Sequence, residues 1–93
     1  MTRLVWRPLA LADRAAIMDY IAQDNPIAAA DLDAEFETSA ETARQLPTLY
    51  KPGRVPGTRE IVVRPNYVLV YRIEDNGGTV AVLRVLHAAR QWP

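Results

Sequence analysis

Residues 58–87 read TREIVVRPNYVLVYRIEDNGGTVAVLRVLH, and this stretch decides the fold. Its apolar residues recur with a period of two, and Val, Ile and Tyr dominate them, the pattern of half-buried strands rather than helices. Two turn signals divide it: Pro65-Asn66, and Asp75-Asn76-Gly77-Gly78. Proline pre-sets φ, and Asn, Asp and Gly tolerate positive φ, so each is a place where the chain reverses. The reading is three strands, 58–64, 67–74 and 79–87, joined by short turns into an antiparallel meander.

Working back toward the N-terminus, residues 47–57 (PTLYKPGRVPG) hold three prolines and two glycines and are a loop. Before it the period changes to helical. Asn25-Pro26 pairs a good N-cap with a good first helical residue. From there a helix runs to about residue 46, with Ala29, Leu32, Phe36, Ala40, Ala43 and Leu46 spaced three or four apart. An alanine-rich segment, 9–23, follows Pro8 and predicts another helix whose inner face takes Ala10, Ala16, Ile17, Tyr20 and Ile21. The tight junction implies an antiparallel helical hairpin. Residues 3–7 (RLVWR) make a short opening strand, placed either at an edge of the sheet or through its centre. The expected architecture is α+β: one domain over residues 1–93, with a helical hairpin covering one face of a small, mainly antiparallel sheet.

Composition narrows the function classes. Ninety-three residues, 49% hydrophobic and 24% charged, suit one globular domain with a modest core. Without cysteine there is neither a disulfide framework nor a thiolate metal site, and one histidine cannot build a multi-histidine zinc site. No cofactor or metal is indicated. The N-terminus lacks a signal-peptide apolar stretch and no run reaches transmembrane length, so a soluble cytoplasmic protein without a membrane partner is expected. Formal net charge is zero, from eleven basic and eleven acidic residues, but their distribution is lopsided. Between Asp13 and Glu41 the acids face only Arg14, whereas from Arg44 to Arg90 the basic residues outnumber Glu60, Glu74 and Asp75. Zero net charge argues against whole-surface nucleic-acid binding, while a local arginine-rich face remains open.

Side-chain alternation sorts that face. On the last strand Ala81, Leu83, Val85 and His87 share one side, and Val80, Val82, Arg84 and Leu86 the other. Burying Arg84 without a partner would cost several kcal/mol, so its side is expected outward, in a cationic groove. Arg72, with Val68 and Val70, is expected outward as well, and Tyr67, Leu69, Tyr71 and Ile73 toward the helices. A bulge would invert the assignment. His87 has the side chain best suited to proton transfer near neutral pH. Its place at a strand end equally suits a plain backbone hydrogen bond. Trp92 lies at the extreme terminus, where chains normally fray, and packing back on the sheet edge explains it better than stacking on a base.

The order strand, helical hairpin, meander, together with YVLVYRI before a glycine turn and the ending Val82-Leu83-Arg84-Val85-Leu86-His87, resembles the RelE/ParE superfamily of bacterial toxins. The phrase IMDYIAQDNPIAAA is similar to that family's first helix and inter-helix turn, and the resemblance covers nearly the whole chain. It implies the toxin half of a type II toxin–antitoxin, plasmid-stabilising module, held inactive by a cognate antitoxin. Two activities share the fold. RelE-like members cut messenger RNA on the ribosome, without metal, using strand cations and a tyrosine or histidine near the C-terminus. ParE-like members poison DNA gyrase and need no nuclease site. Here Val68 stands where RelE-like enzymes follow the strand tyrosine with arginine, and Glu60 and Val62 where they tend to carry lysines. That departure leans the resemblance toward the gyrase branch, with mRNA cleavage as the alternative. If the chain is a nuclease, Arg84, His87 and Arg59 are the catalytic set the resemblance implies. Arg64, Arg72, Arg90 and Trp92 would bind the target, and Val80, Val82 and Leu86 the antitoxin.

Overall fold

The computed structural model describes residues 1–89, in the order β1 (Arg3–Trp6), α1 (Pro8–Ala22), α2 (Pro26–Gln45), β2 (Arg59–Arg64), β3 (Tyr67–Glu74) and β4 (Thr79–His87). The four strands form one sheet in the order β1-β4-β3-β2. The meander β2-β3-β4 is antiparallel throughout, and β1 joins it at the edge beside β4, running parallel to it. The β3–β4 turn is left-handed at Asp75, Asn76 and Gly77, with φ of 55°, 54° and 91°. These are residue types that accept such a conformation at low cost.

Local chemistry starts and stops the helices where the residue types indicate. Asn25 accepts a hydrogen bond from the Ala28 N–H at 3.0 Å, and Pro26 opens α2. The stripe Ala29, Leu32, Phe36, Ala40 and Ala43 is buried against the sheet, while Leu46, just past the helix end, is 55% exposed. Arg14 ties α1 to α2: it donates to Asp33 at 2.8 and 2.9 Å and to Glu37 at 2.8 Å. It also lies 4.3 Å over the Trp6 ring. Burial alone would lower its pKa, but the bonds to the two carboxylates outweigh that and raise it.

The phase of α1 differs from expectation. Ala10 is buried and Ile17, Met18 and Ile21 pack on the core, but Ala16 and Tyr20 face solvent. A helix carrying apolar residues all round gives the pattern no phase to read.

β4 differs in a more consequential way. Val70 pairs with Arg84, but the next residue, Tyr71, pairs with Val82, so Leu83 is an extra residue and a bulge. Val80 and Val82 before the bulge and Val85 after it all lie in the core beneath the helices, each at most 1% exposed. The outward placing of Val80 and Val82 is therefore corrected: they are core residues. Leu86 does lie on the far face, but buried with Val68 and Val70 rather than open. Tyr67, Leu69, Tyr71 and Ile73 face the helices as expected.

Candidate functional site

The strand register brings a cation, a phenol and an imidazole together at one end of the sheet. Tyr67 on β3 pairs with Arg64 on β2 and His87 on β4, making one cross-strand row. The Tyr67 ring stands edge-to-face on His87 at 5.4 Å and on the buried Phe36 at 6.0 Å, which fixes its tilt. The exposed His87 accepts from the Ala89 N–H at Nδ1, 3.2 Å away, so a neutral ring carries its proton on Nε2. Arg64 does not turn to this pair. A bulge at the end of β2 points it at α2, where its guanidinium grips Glu35 through both Nε, at 3.0 Å, and Nη2. The shared hydrogen bonds raise the Arg64 pKa and hold the Glu35 carboxyl below its ordinary value.

Arg84 lies three residues before His87, and its surroundings overturn the open-groove expectation. Four-residue β1 pairs only with residues 79–82 of β4, so the second half of β4 loses its neighbour strand. Helix α1 takes that place. The Asp13 carboxylate accepts from the orphaned Val85 N–H at 2.9 Å and from Arg84 at 2.7 and 3.0 Å. Both side chains are largely buried, 18% and 11% exposed. The hydrogen bond to Asp13 is what raises the Arg84 pKa, against the opposing pull of burial. A cation first read as facing a ligand is thus held by the protein's own first helix.

The other expected site residues are dispersed. Arg59 pairs across from Tyr71, four residues along β3 from Tyr67 and two strands from β4. That is roughly 13 Å along the strands and about 10 Å across from His87. It donates to the Tyr50 carbonyl at 2.5 Å and lines a shallow cavity of about 330 Å³ with Pro52, Gly57, Thr58 and Ile73. Arg72 is outward as expected and half exposed, but doubly bonded to Glu74 at 2.6 and 3.0 Å. Glu74 also receives Arg7 at 2.5 Å, and the bonds from Arg72 first, then the charge of Arg7, keep its carboxyl pKa low. Arg90 and Trp92 lie outside the described residues. Asp13, Glu35 and Glu74, which decide whether these arginines can meet a ligand, carried no motif. The signal that was present is the acid-rich hairpin itself, facing an arginine-rich second half.

Comparison with known proteins agrees with this architecture. Residues 4–92 match the family model for the ParE toxin of the type II toxin–antitoxin system parDE. The chain is 40% identical to Toxin RelE2 of Caulobacter vibrioides over 92 residues, 97% of this chain and 99% of that one. Among solved structures, a chain of the chromosomal ParDE system of P. aeruginosa superposes with a TM-score of 0.83 at 22% identity, covering 94% and 96% of the two chains. One from the RelBE2 toxin–antitoxin complex of Mycobacterium tuberculosis gives 0.64 at 28%, covering 92% and 96%. With its helical hairpin on a four-stranded sheet and its match along nearly the full length, the chain belongs to the ParE toxin family of type II toxin–antitoxin systems, within the RelE/ParE superfamily.

Proposed function

We propose that this toxin acts by binding a protein target, DNA gyrase, rather than by cutting RNA, and that a cognate antitoxin neutralises it in the cytoplasm. One observation carries the reading: the arginines a nuclease would turn on a phosphate are engaged within the protein. Arg84 is held by Asp13, Arg64 by Glu35, Arg72 by Glu74 and Arg59 by the Tyr50 carbonyl. Cleavage by 2′-hydroxyl attack concentrates negative charge on one phosphate and needs preorganised cations there. Drawing an arginine off a bidentate carboxylate to supply one would leave that carboxylate unpaired, a cost a dedicated active site avoids. A gyrase poison works through surface fit and has no such requirement. For the antitoxin, the far-face side chains within reach are Val62, 69% exposed, and Arg72, rather than the enclosed Val80, Val82 and Leu86.

A second reading, ribosome-dependent mRNA cleavage, draws on the Tyr67–His87 pair and on the 40% identity to a protein called RelE2. The two separate in vitro. The purified chain is titrated into a gyrase supercoiling reaction and, in parallel, into ribosomes programmed with a defined mRNA. The expected result is loss of supercoiling with accumulation of cleaved DNA, unchanged in His87→Ala, and intact mRNA. Cut mRNA that His87→Ala abolishes, with supercoiling untouched, would replace the gyrase reading with the nuclease one.

A further inference from the structure

Helix α1 has an unusual wet side. At 100° per residue, Leu9, Ala12, Ala16, Tyr20 and Gln23 lie in one strip pointing away from the buried Ala10. All five are exposed, Leu9 by 62% and Tyr20 by 75%, and the only charge bordering the strip on its open side is Asp19. The wet side of α2 is mixed: Ile27, Ala30 and Ala34 are exposed at its start, but Asp31, Glu37, Thr38 and Gln45 interrupt and follow them, so no apolar strip runs its length. Single exposed apolar residues are ordinary, but a continuous apolar strip from Leu9 to Tyr20, about 17 Å of helix, is the mark of a covered surface.

The order of sizes along the strip identifies the cover. Large, small, small, large (Leu9, Ala12, Ala16, Tyr20) reads nearly the same in both directions. Two such helices laid antiparallel set Leu9 of each against Tyr20 of the other, with alanine against alanine at the axis, where backbones can approach. This is the self-complementarity that a two-fold interface requires. Charge agrees. Arg3 stands before the start of α1, beside Arg7, which is already bonded to Glu74, and Asp19 and Asp24 stand at its end, where neither acid has an ion pair among the described residues. An antiparallel pair brings each basic end beside an acidic end and opposes the two helix dipoles. We propose that the wet face of α1 is a self-association surface, on which a second copy of this chain packs antiparallel about a two-fold axis between Ala12 and Ala16.

Sedimentation equilibrium over a concentration series of the purified full chain tests this. The strip is small beside a standard interface of about 800 Å² per partner, so a reversible, concentration-dependent dimer is expected. Ala16→Arg puts a charge at the axis and should weaken the dimer about tenfold or more. Ala12→Glu, one turn away, serves as the second variant, and Thr38→Arg on α2 should leave association unchanged. Arginine and glutamate are good helix formers at these exposed positions, and circular dichroism checks that each variant is folded. A chain that stays monomeric across the series, or an Ala16→Arg variant that dimerises like the parent, overturns the proposal. So does a monomeric parent whose antitoxin affinity falls in Ala16→Arg, because the antitoxin is then what covers the strip.

Discussion

Removing the Asp13 carboxylate should destabilise the protein far more than its place on an exposed-looking helix suggests. In Asp13→Ala two groups lose a carboxylate acceptor at once. The Val85 N–H, left without a strand neighbour because β1 ends at Trp6, becomes an unsatisfied donor in a residue 1% exposed. An orphaned buried donor costs about 1–3 kcal/mol. The Arg84 guanidinium, 18% exposed, loses its bidentate carboxylate. A fully buried pair broken this way costs about 3–5 kcal/mol, and partial solvation of this one brings the figure down. Together the loss is about 3 kcal/mol, which lowers the melting temperature by roughly 12–24 °C for a domain of this size. Asp13→Asn keeps an acceptor for Val85 and should lose about half as much. Arg84→Met leaves the Asp13–Val85 bond intact and should likewise be milder than Asp13→Ala. Urea unfolding of the two single variants and the Asp13→Ala/Arg84→Met double variant closes a cycle in which the coupling exceeds about 1 kcal/mol. If Asp13→Ala melts within about 0.5 kcal/mol of the parent, or the two changes simply add, the carboxylate does not bridge α1 to β4.

Phe36→Ala removes a ring at 0% exposure that braces Tyr67, and urea unfolding should show a loss of about 3–5 kcal/mol together with a shifted Tyr67 ring signal in proton NMR. Val82→Asp should abolish folding, read as loss of the circular dichroism transition, since it places an unpaired carboxylate among core residues; a folded variant would restore Val82 to the open face. Asn25→Ala deletes the α2 cap and should cost about 1 kcal/mol in the same assay. The pH dependence has a definite sign. Hydrogen bonds from Arg64, Arg44 and Arg72 hold the carboxyls of Glu35, Glu41 and Glu74 below their ordinary value of 4.5, so their stabilisation is complete above that range. It is then lost as pH falls through the lower folded values. The urea midpoint should drop on acidification below the carboxylate range, and Glu35→Gln should make that drop shallower.

Where neighbours in sequence are neighbours in space, the residues announced the structure. The α2 stripe from Ala29 to Ala43, the Asn25 cap and the inward set Tyr67, Leu69, Tyr71 and Ile73 follow from periods of 3.6 and two acting locally. The failures are of two kinds. In α1 alanine and leucine occur on every side, so Ala16 and Tyr20 could be drawn inward on paper while only the packed structure sets the phase. In β4 strict alternation ignores the extra residue at Leu83, which turns Val80 and Val82 ahead of it into the core while Val85 and Leu86 after it keep their expected faces. The state of Arg84 was beyond any local pattern, because its partner lies 71 positions earlier. An arginine in an apolar run does signal a partner that the local sequence does not show. It does not say whether that partner is a ligand or a carboxylate of the same chain.

The bulge, the short β1 and Asp13 then form one arrangement. A longer β1 would have paired the Val85 N–H itself and left Asp13 nothing to cap. Without the extra Leu83, Val85 would fall out of the core phase set by Val80 and Val82. Given both, the carboxylate that satisfies the backbone donor is already within bidentate reach of the adjacent arginine, so capping the strand and neutralising Arg84 are a single event. It follows that the cation of the terminal strand is made available or unavailable from helix α1, not from the strand that carries it. In a superfamily where one fold serves two activities, a strand phrase such as Val82 to His87 therefore cannot decide between them alone. The residue facing it from the first helix has to be read alongside it, and in this chain that residue is an aspartate.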